Sequence, residues 1–195
     1  AEERQSIRKF NNDKPITTDH LGEFLYRAAR VKNIRNADIT KARYYQSSQR
    51  PYPGGGACYE LEIYPLIKTC EGIDEELYYY QPLKHQLIKI SEPNNLTETL
   101  IKNAISASDS ECSPQILFII AARFQRLSWK YESIAYSIVL KDAGILLQTM
   151  YLTAAAMELA PCAIGCGNSD IFAKTAGLNY YEETSVAEFM IGGKS

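Results

Sequence analysis

Three short stretches carry the residues that could do chemistry. Near the start, Arg4, Ser6 and Arg8 alternate with other residues, and Lys9 follows. Guanidinium forks and a hydroxyl suit a phosphate, so this group reads as an anion clasp. The plainer reading of the same spacing is a solvated, charged chain end. The second stretch is RPYPGGGACYELEIYPLI, where two prolines precede Gly54, Gly55 and Gly56. That composition excludes regular structure and offers exposed amides to an anion or a flat ring, with a flexible turn as the competing reading. The third runs from Cys162 to Gly167 after Pro161, a small-residue loop whose glycines would let backbone approach a ligand closely. Metal chemistry is not expected. The five cysteines (Cys58, Cys70, Cys112, Cys162, Cys166) lack CxxC spacing, and only His20 and His85 could join them. Both histidines read as structural, His20 exposed in a first helical turn and His85 packing at a hairpin rim.

Positioning those stretches requires a framework, and the framework centres on Ala143 to Leu159. This run is apolar on nearly every face, interrupted by Gly144, Gln148, Thr149, Tyr151, Thr153 and Glu158. A helix apolar all round must be covered on all sides. Its length falls short of a membrane span and it contains Glu158, so it reads as a core helix that one small subunit does not cover alone. Leu146, Leu147, Met150 and Ala154 are the expected seam with a second copy. Before it, Pro15 to Asp19 reads as a helix entry capped by Thr17 or Thr18, with Leu21, Phe24, Leu25, Ala28 and Ala29 on the core face. Residues 32–50 show no period and read as loop. Leu61 to Ile67 reads as a strand in which Pro65 marks an edge or bulge. Leu77 to Tyr80 and Gln86 to Ile90 form a hairpin, and 96–108 a short helix. Gln115 to Ala122 is a buried central strand, and Arg123 to Ser128 a link to the organising helix, with Trp129 to Tyr131 at the junction. Residues 169–177 suggest a last short helix and Glu188 to Ile191 a last strand. This order is α+β, one domain over 1–195 with a mixed sheet flanked by helices.

Composition narrows the function classes. A net charge of −2 leaves no general footprint for nucleic acid or an anionic membrane. Unpaired cysteines fit reduced thiols in the cytoplasm. The chain opens on Ala1 with motif residues from Arg4 onward, which suggests a segment of a longer polypeptide.

Four motifs, in order along nearly the whole chain, carry a family resemblance. ERQSIRKF resembles the RRSxRxF opening of the flavin-dependent nitroreductase superfamily. RPYPGGGACYELEIY resembles the RPYPSGGALYPLE stretch of its SagB/ThcOx-type azoline oxidases, and LYYYQPLKHQL their GLYxYxPxxHxL hairpin. LKDAGILLQTMYLTAAAMELAPCAIG is similar to the superfamily's long helix and glycine loop. The resemblance implies a nitroreductase-like fold, FMN as cofactor, and a homodimer with each flavin at the subunit interface. It implies that Arg4, Ser6, Arg8 and Lys194 hold the phosphate. It also implies that Gly54, Gly55 and Gly56 lie beside the flavin and that Gly165, Cys166 and Gly167 face its ring. Three departures are visible: Gln5 for the second arginine, Gly54 for a serine, and Cys166 within a small-residue pair.

The same resemblance singles out WKYE. Azoline oxidases carry a Lys-Tyr pair at the matching place, here Lys130-Tyr131. Converting a thiazoline or oxazoline to an azole removes one hydrogen as hydride and its neighbour as a proton, so it needs a positioned base. Tyrosine titrates near 10, and an adjacent ammonium that lowers this value makes tyrosinate accessible. Tyr131 is therefore the expected base, Lys130 its partner, and molecular oxygen the expected final acceptor. The expected substrate is an azoline-containing peptide, tethered to a carrier protein if the chain is an oxidase domain of a nonribosomal peptide synthetase. The rival readings are an NAD(P)H-dependent nitro or quinone reductase, and a degenerate flavin-binding scaffold. Adjacent residues on a helix diverge by about 100°, so one of the pair must sit at a helix end to share a substrate.

Overall fold

The computed structural model describes residues 2–110 and 112–194. The apolar run after Pro114 forms a strand, Ile116–Arg123, whose side chains alternate between two cores as a period of two requires. Ile116, Phe118, Ile120 and Ala122 enter one core, and Leu117, Ile119 and Ala121 the other. In chain order the principal strands are β3 (Leu61–Ile67), β4 (Leu77–Gln81), β5 (Gln86–Ser91), β6 (Ile116–Arg123), β7 (Leu159–Ile164) and β8 (Glu183–Gly193). They form one sheet of order β5-β4-β3-β6-β8-β7. Helices α1 (Thr18–Ala29) and α4 (Ala135–Ala156) cover one face, and α2 (Asn95–Ser108) and α5 (Ser169–Ala176) the other. The sheet expected to be mixed is antiparallel at each of its pairings.

Several local readings need correcting. Residues 32–50 contain a small ribbon, β1 (Asn33–Arg35) paired with β2 (Ser47–Gln49). All three β1 residues are exposed, so no apolar alternation announced it. Pro65 is neither at a sheet edge nor in a bulge. It pairs opposite Phe118 inside the sheet. Ile67 donates to the Glu76 carbonyl at 2.9 Å on the β4 side. The two-residue period turns Pro65's missing donor the same way, where the β3–β4 register is confined to Leu66 opposite Leu77. Pro161 to Ile164 belongs to β7, not to a loop. The proline is tolerated there because β7 is an edge strand. Arg123 to Ser128 is no simple link, since α3 (Gln125–Tyr131) begins within it.

The organising helix is α4, ending at Ala156 rather than Leu159. Its inner face is fully covered by this chain. Leu146, Met150 and Ala154 are all 0% exposed, so the expected seam is wrong for those three residues. They belong to the same buried cluster as Phe24, Phe118 and Phe189. The apolar residues left open on α4 are instead Tyr136 and Leu140 on one flank and Ile145 and Leu152 on the other, each at least 37% exposed. The span Gln125–Ala156 is long and apolar enough to cross a membrane by length and composition. Its covered inner face and its interruption at Glu132, where φ is 46° and ψ −120°, fit a core helix.

α1 starts where Thr17 predicts it. Thr17 accepts from the His20 amide at 3.2 Å, and the exposed His20 ring accepts from the Thr17 amide, closing a capping box.

Candidate active site

The glycine loop and the Lys-Tyr pair come together. Gly56 sits at φ 56° and ψ 20°, a left-handed conformation that glycine adopts without strain. Its neighbours decide the matter independently. A Cβ added there would lie 2.6 Å from Lys130 Nζ and 2.7 Å from the Tyr131 hydroxyl. Ala57 and Tyr59 are also left-handed, at φ 56° and 50°, so this loop stores strain. It is tied down by Asp142 of α4, whose Oδ2 accepts the Gly55 amide at 2.6 Å.

Lys130 and Tyr131 are the last two residues of α3. The helix stops at Tyr131 because Glu132 takes its rare backbone conformation, and this end position lets two diverging side chains reach one glycine. Lys130 Nζ donates to the Tyr45 hydroxyl and lies 5.5 Å from the centre of the Tyr131 ring. Its bond to Tyr45 holds the ammonium above the usual lysine range. Tyr45 in turn donates to the Gly56 carbonyl at 3.0 Å and meets Trp129 edge to face at 5.3 Å. Tyr45 also lines a cavity of about 540 Å³, with Arg50, Cys58, Tyr79, Arg126 and Trp129 among its other walls. This is a volume suited to a small organic group.

The N-terminal clasp is held by a separate set of contacts. Gln115, 1% exposed, accepts from the Ile16 and Gly193 amides and donates to the Asn11 carbonyl at 2.8 Å. The Ile7 amide binds the Pro161 carbonyl at 2.7 Å, laying the segment beside β7. Ile7 and Phe10 turn into the core, while Arg4, Ser6 and Arg8 remain accessible. The Ser6 hydroxyl bonds the Tyr151 hydroxyl of α4 at 2.6 Å, and the Arg4 guanidinium lies 5.1 Å from the centre of the Tyr151 ring. Tyr151 also accepts the Ala163 amide at 2.8 Å. Arg8 lies near enough to Cys162 to oppose the upward push that burial gives its thiol. Among the described residues neither Arg4 nor Arg8 is in an ion pair. Free guanidinium donors beside a serine hydroxyl fit the phosphate of FMN.

Gly165, Cys166 and Gly167 form the exposed loop between β7 and α5. Gly165 faces open space, whereas Gly167 lies directly on the Glu188 carboxylate, leaving no room for a Cβ. Glu188 is 1% exposed, has no hydrogen-bond partner among the described residues, and is pushed up to about 7 by burial. Lys194 follows β8, exposed, with no side-chain bond to Arg4, Ser6 or Arg8 among the described residues.

The sequence-derived residues thus fall into two groups. Gly56 meets Lys130 and Tyr131, and Gly54 and Gly55 lie against Asp142 of α4. Arg4 and Ser6 meet Tyr151, which holds β7 just before Gly165 to Gly167. Asp142 and Tyr151 anchor these groups nine positions apart on α4, roughly 13 Å along its axis. Tyr45, Asp142 and Tyr151 were missed. Tyr45 lay in a stretch without periodicity, and Tyr151 was read as an interruption of an apolar run. A lone acid beside that run was the one available signal for Asp142.

The chain matches the sequence description of the nitroreductase family over residues 1–193. It is 26% identical over 162 residues to MJ1384 of Methanocaldococcus jannaschii, a protein named provisionally as a nitroreductase. That alignment covers 83% of this chain and 74% of MJ1384. It is 29% identical over 141 residues to McbC of Escherichia coli, the microcin B17-processing protein. There it covers 68% of this chain and only 50% of McbC, so the match spans half the length of that relative. In three dimensions it resembles a chain of the E. coli microcin synthetase McbBCD complex with truncated pro-MccB17 bound. The TM-score is 0.80 at 20% identity, over 100% of this chain and 71% of that one, a likeness of fold.

Proposed function

From a chain that belongs to the nitroreductase family, we propose an FMN-dependent azoline oxidase, dehydrogenating a thiazoline or oxazoline in a peptide to the corresponding azole. The observation that carries this reading is the crowding of Lys130 Nζ and the Tyr131 hydroxyl around Gly56, beside a cavity with aromatic walls. Similarity to a microcin-processing protein supports a peptide substrate, free or carrier-bound.

In this proposal Arg4, Ser6 and Arg8 hold the FMN phosphate by charge-assisted bonds, with Lys194 contributing from the end of β8. The exposed Gly165–Gly167 loop and the Gly54–Gly56 loop flank the ring, their glycines allowing close approach. The chemistry FMN supplies there is hydride acceptance from carbon, with molecular oxygen as final acceptor. The chain's own task is the proton. Tyr131 would take it as the phenolate, becoming the neutral phenol, and the Lys130 ammonium would stabilise the phenolate before the transfer. Tyr45, bonded to Lys130, fixes the ammonium's direction. The cavity lined by Tyr45, Tyr79 and Trp129 receives the peptide flanking the azoline.

A homodimer belongs to the same proposal. Tyr136 and Leu140 on one flank of α4 and Ile145 and Leu152 on the other leave apolar surface open, and a second copy would cover it. A cytoplasmic site of action fits five free cysteines.

The test is Tyr131→Phe, which removes only the hydroxyl. With thiazoline on a free peptide or a carrier mimic, loss of two hydrogens is followed by mass. Turnover should fall ~10²–10⁴-fold with flavin content unchanged. Near-normal azole formation by this variant removes Tyr131 as base. NAD(P)H consumption with a quinone, and no azole from the unmodified protein, would favour a reductase instead.

A further inference from the structure

Beneath the glycine loop lie two carboxyl groups that the proposed chemistry does not use. Glu60 is 0% exposed, and neither of its oxygens has a hydrogen-bond partner among the described residues. Asp142, 5% exposed on α4, spends Oδ2 on the Gly55 amide. Glu60 faces Asp142 closely enough for the two to interact directly.

The surrounding charges offer Glu60 no donor. Arg50 lies over Tyr59, 5.0 Å from its ring centre, and reaches the Tyr52 hydroxyl at 3.4 Å. Arg123 and Arg126 both pair with Glu62. Lys130 is bonded to Tyr45. The nearby Tyr52 phenol and Cys58 thiol are both pushed up, chiefly by burial, so neither adds a negative charge near neutrality. Two carboxylates in a site this dry cannot both ionise. A single proton between them supplies the missing donor.

We propose that Glu60 and Asp142 share one proton, and that this proton holds the glycine loop closed against Lys130 and Tyr131, making Glu60 a positioning residue of the active site. With the proton present, Glu60 donates to Asp142 and leaves Oδ2 to bind the Gly55 amide. Without it, two buried anions repel, and the contact that breaks is the one fixing Gly55. Gly56, the next residue, forms the boundary with both Lys130 and Tyr131. Burial above all, with the Asp142 charge behind it, raises Glu60 to about 7, while its own backbone amide and Arg50 oppose them. The latch therefore loosens as pH rises through neutrality.

The proposal rests on the Lys130–Tyr131 reading for its consequence, but the latch itself is measurable without turnover. Glu60→Gln keeps the shape and can donate from its amide at every pH. A carboxyl whose pKa is raised on folding stabilises most below its unfolded value, and that stability is lost as pH rises through the folded value. Between pH 5.5 and 8.5 the wild-type protein should therefore lose Gly55 amide protection and thermal stability relative to Glu60→Gln. The relative protection should fall by up to about ten-fold per pH unit as pH rises toward 7 and level off above it. Identical pH profiles in the two proteins overturn the latch. In the azoline assay, the ratio of variant to wild-type kcat should climb as pH rises toward 7, by at most about ten-fold per pH unit, and level off above it. A flat ratio overturns the positioning role. If neither protein makes azole while the protection profiles differ, the functional reading fails and the latch stands. Should Glu60→Gln not fold, carboxyl-carbon NMR of the wild type decides. Glu60 titrating near 7 upholds the shared proton, and near 4.5 refutes it.

Discussion

Replacing Gly56 by Ala should separate catalysis from stability. The left-handed conformation at this position costs an alanine ~1–2 kcal/mol, because its Cβ crowds the following carbonyl. The new methyl also falls 2.6 Å from Lys130 Nζ and 2.7 Å from the Tyr131 hydroxyl, where ordinary contact starts near 3.4 Å. Both groups must withdraw by most of an ångström. They are the tips of side chains that can move, so the fold should survive with a total loss of ~1–3 kcal/mol. At this chain length that lowers Tm by ~3–10 °C. The chemistry is less forgiving. Misplacing a reacting group by ~1 Å costs about 10²-fold in rate, and here both members of the pair move together. Turnover should fall at least that far at full flavin occupancy. Dichroism gives Tm, absorbance gives flavin content, and mass spectrometry of a thiazoline peptide gives the rate. Gly22→Ala is the control, since its Cβ meets nothing within 4 Å and it lies on α1, away from the pair. An unchanged rate in Gly56→Ala would refute the assignment, as would a loss accounted for by missing flavin.

Two further outcomes are expected. Arg4→Ala removes the guanidinium beside Ser6 and should weaken FMN binding ~10–100-fold, corresponding to ~1.5–3 kcal/mol for a charge-assisted bond. Titration of the apoprotein by flavin fluorescence checks this, and an unchanged Kd would take Arg4 out of the phosphate site. Leu140→Asp places a charge on the open face of α4, where Leu140 is 46% exposed, and should give a monomer by light scattering with little change in the subunit's own packing. A flavin-loaded monomer for the unmodified chain would contradict the dimer.

Much of the fold was legible because burial leaves a periodic trace. Gln115 to Ala122 had to be an interior strand, and its alternate residues do enter separate cores. Pro15 to Asp19 marked the start of α1, and the structure picked Thr17 over Thr18 as its cap. The readings that failed lacked such a trace or had two solutions. β1 is three exposed residues, which no hydrophobic pattern can announce. Pro65 looked like an edge because it lacks a donor, yet an interior strand tolerates it where the ladder is short on one side. The α4 seam failed for a related reason. A helix apolar on every face does not reveal which face its own sheet takes, and the sheet took Leu146, Met150 and Ala154.

For the site, the sequence by itself determined the chemical inventory. It held a basic clasp with a hydroxyl, two glycine loops and an adjacent lysine and tyrosine, each readable because its side chains or their absence act locally. What only the tertiary structure decided is which of these meet. Gly56 and Lys130 are 74 residues apart, and Ser6 is 145 residues from Tyr151, distances over which no local propensity operates. Their meeting depends on α4 crossing the sheet with Asp142 toward one loop and Tyr151 toward the clasp. The same packing stripped Glu60 of water and set it against Asp142, and burial is a property of the whole fold that no residue carries in its name.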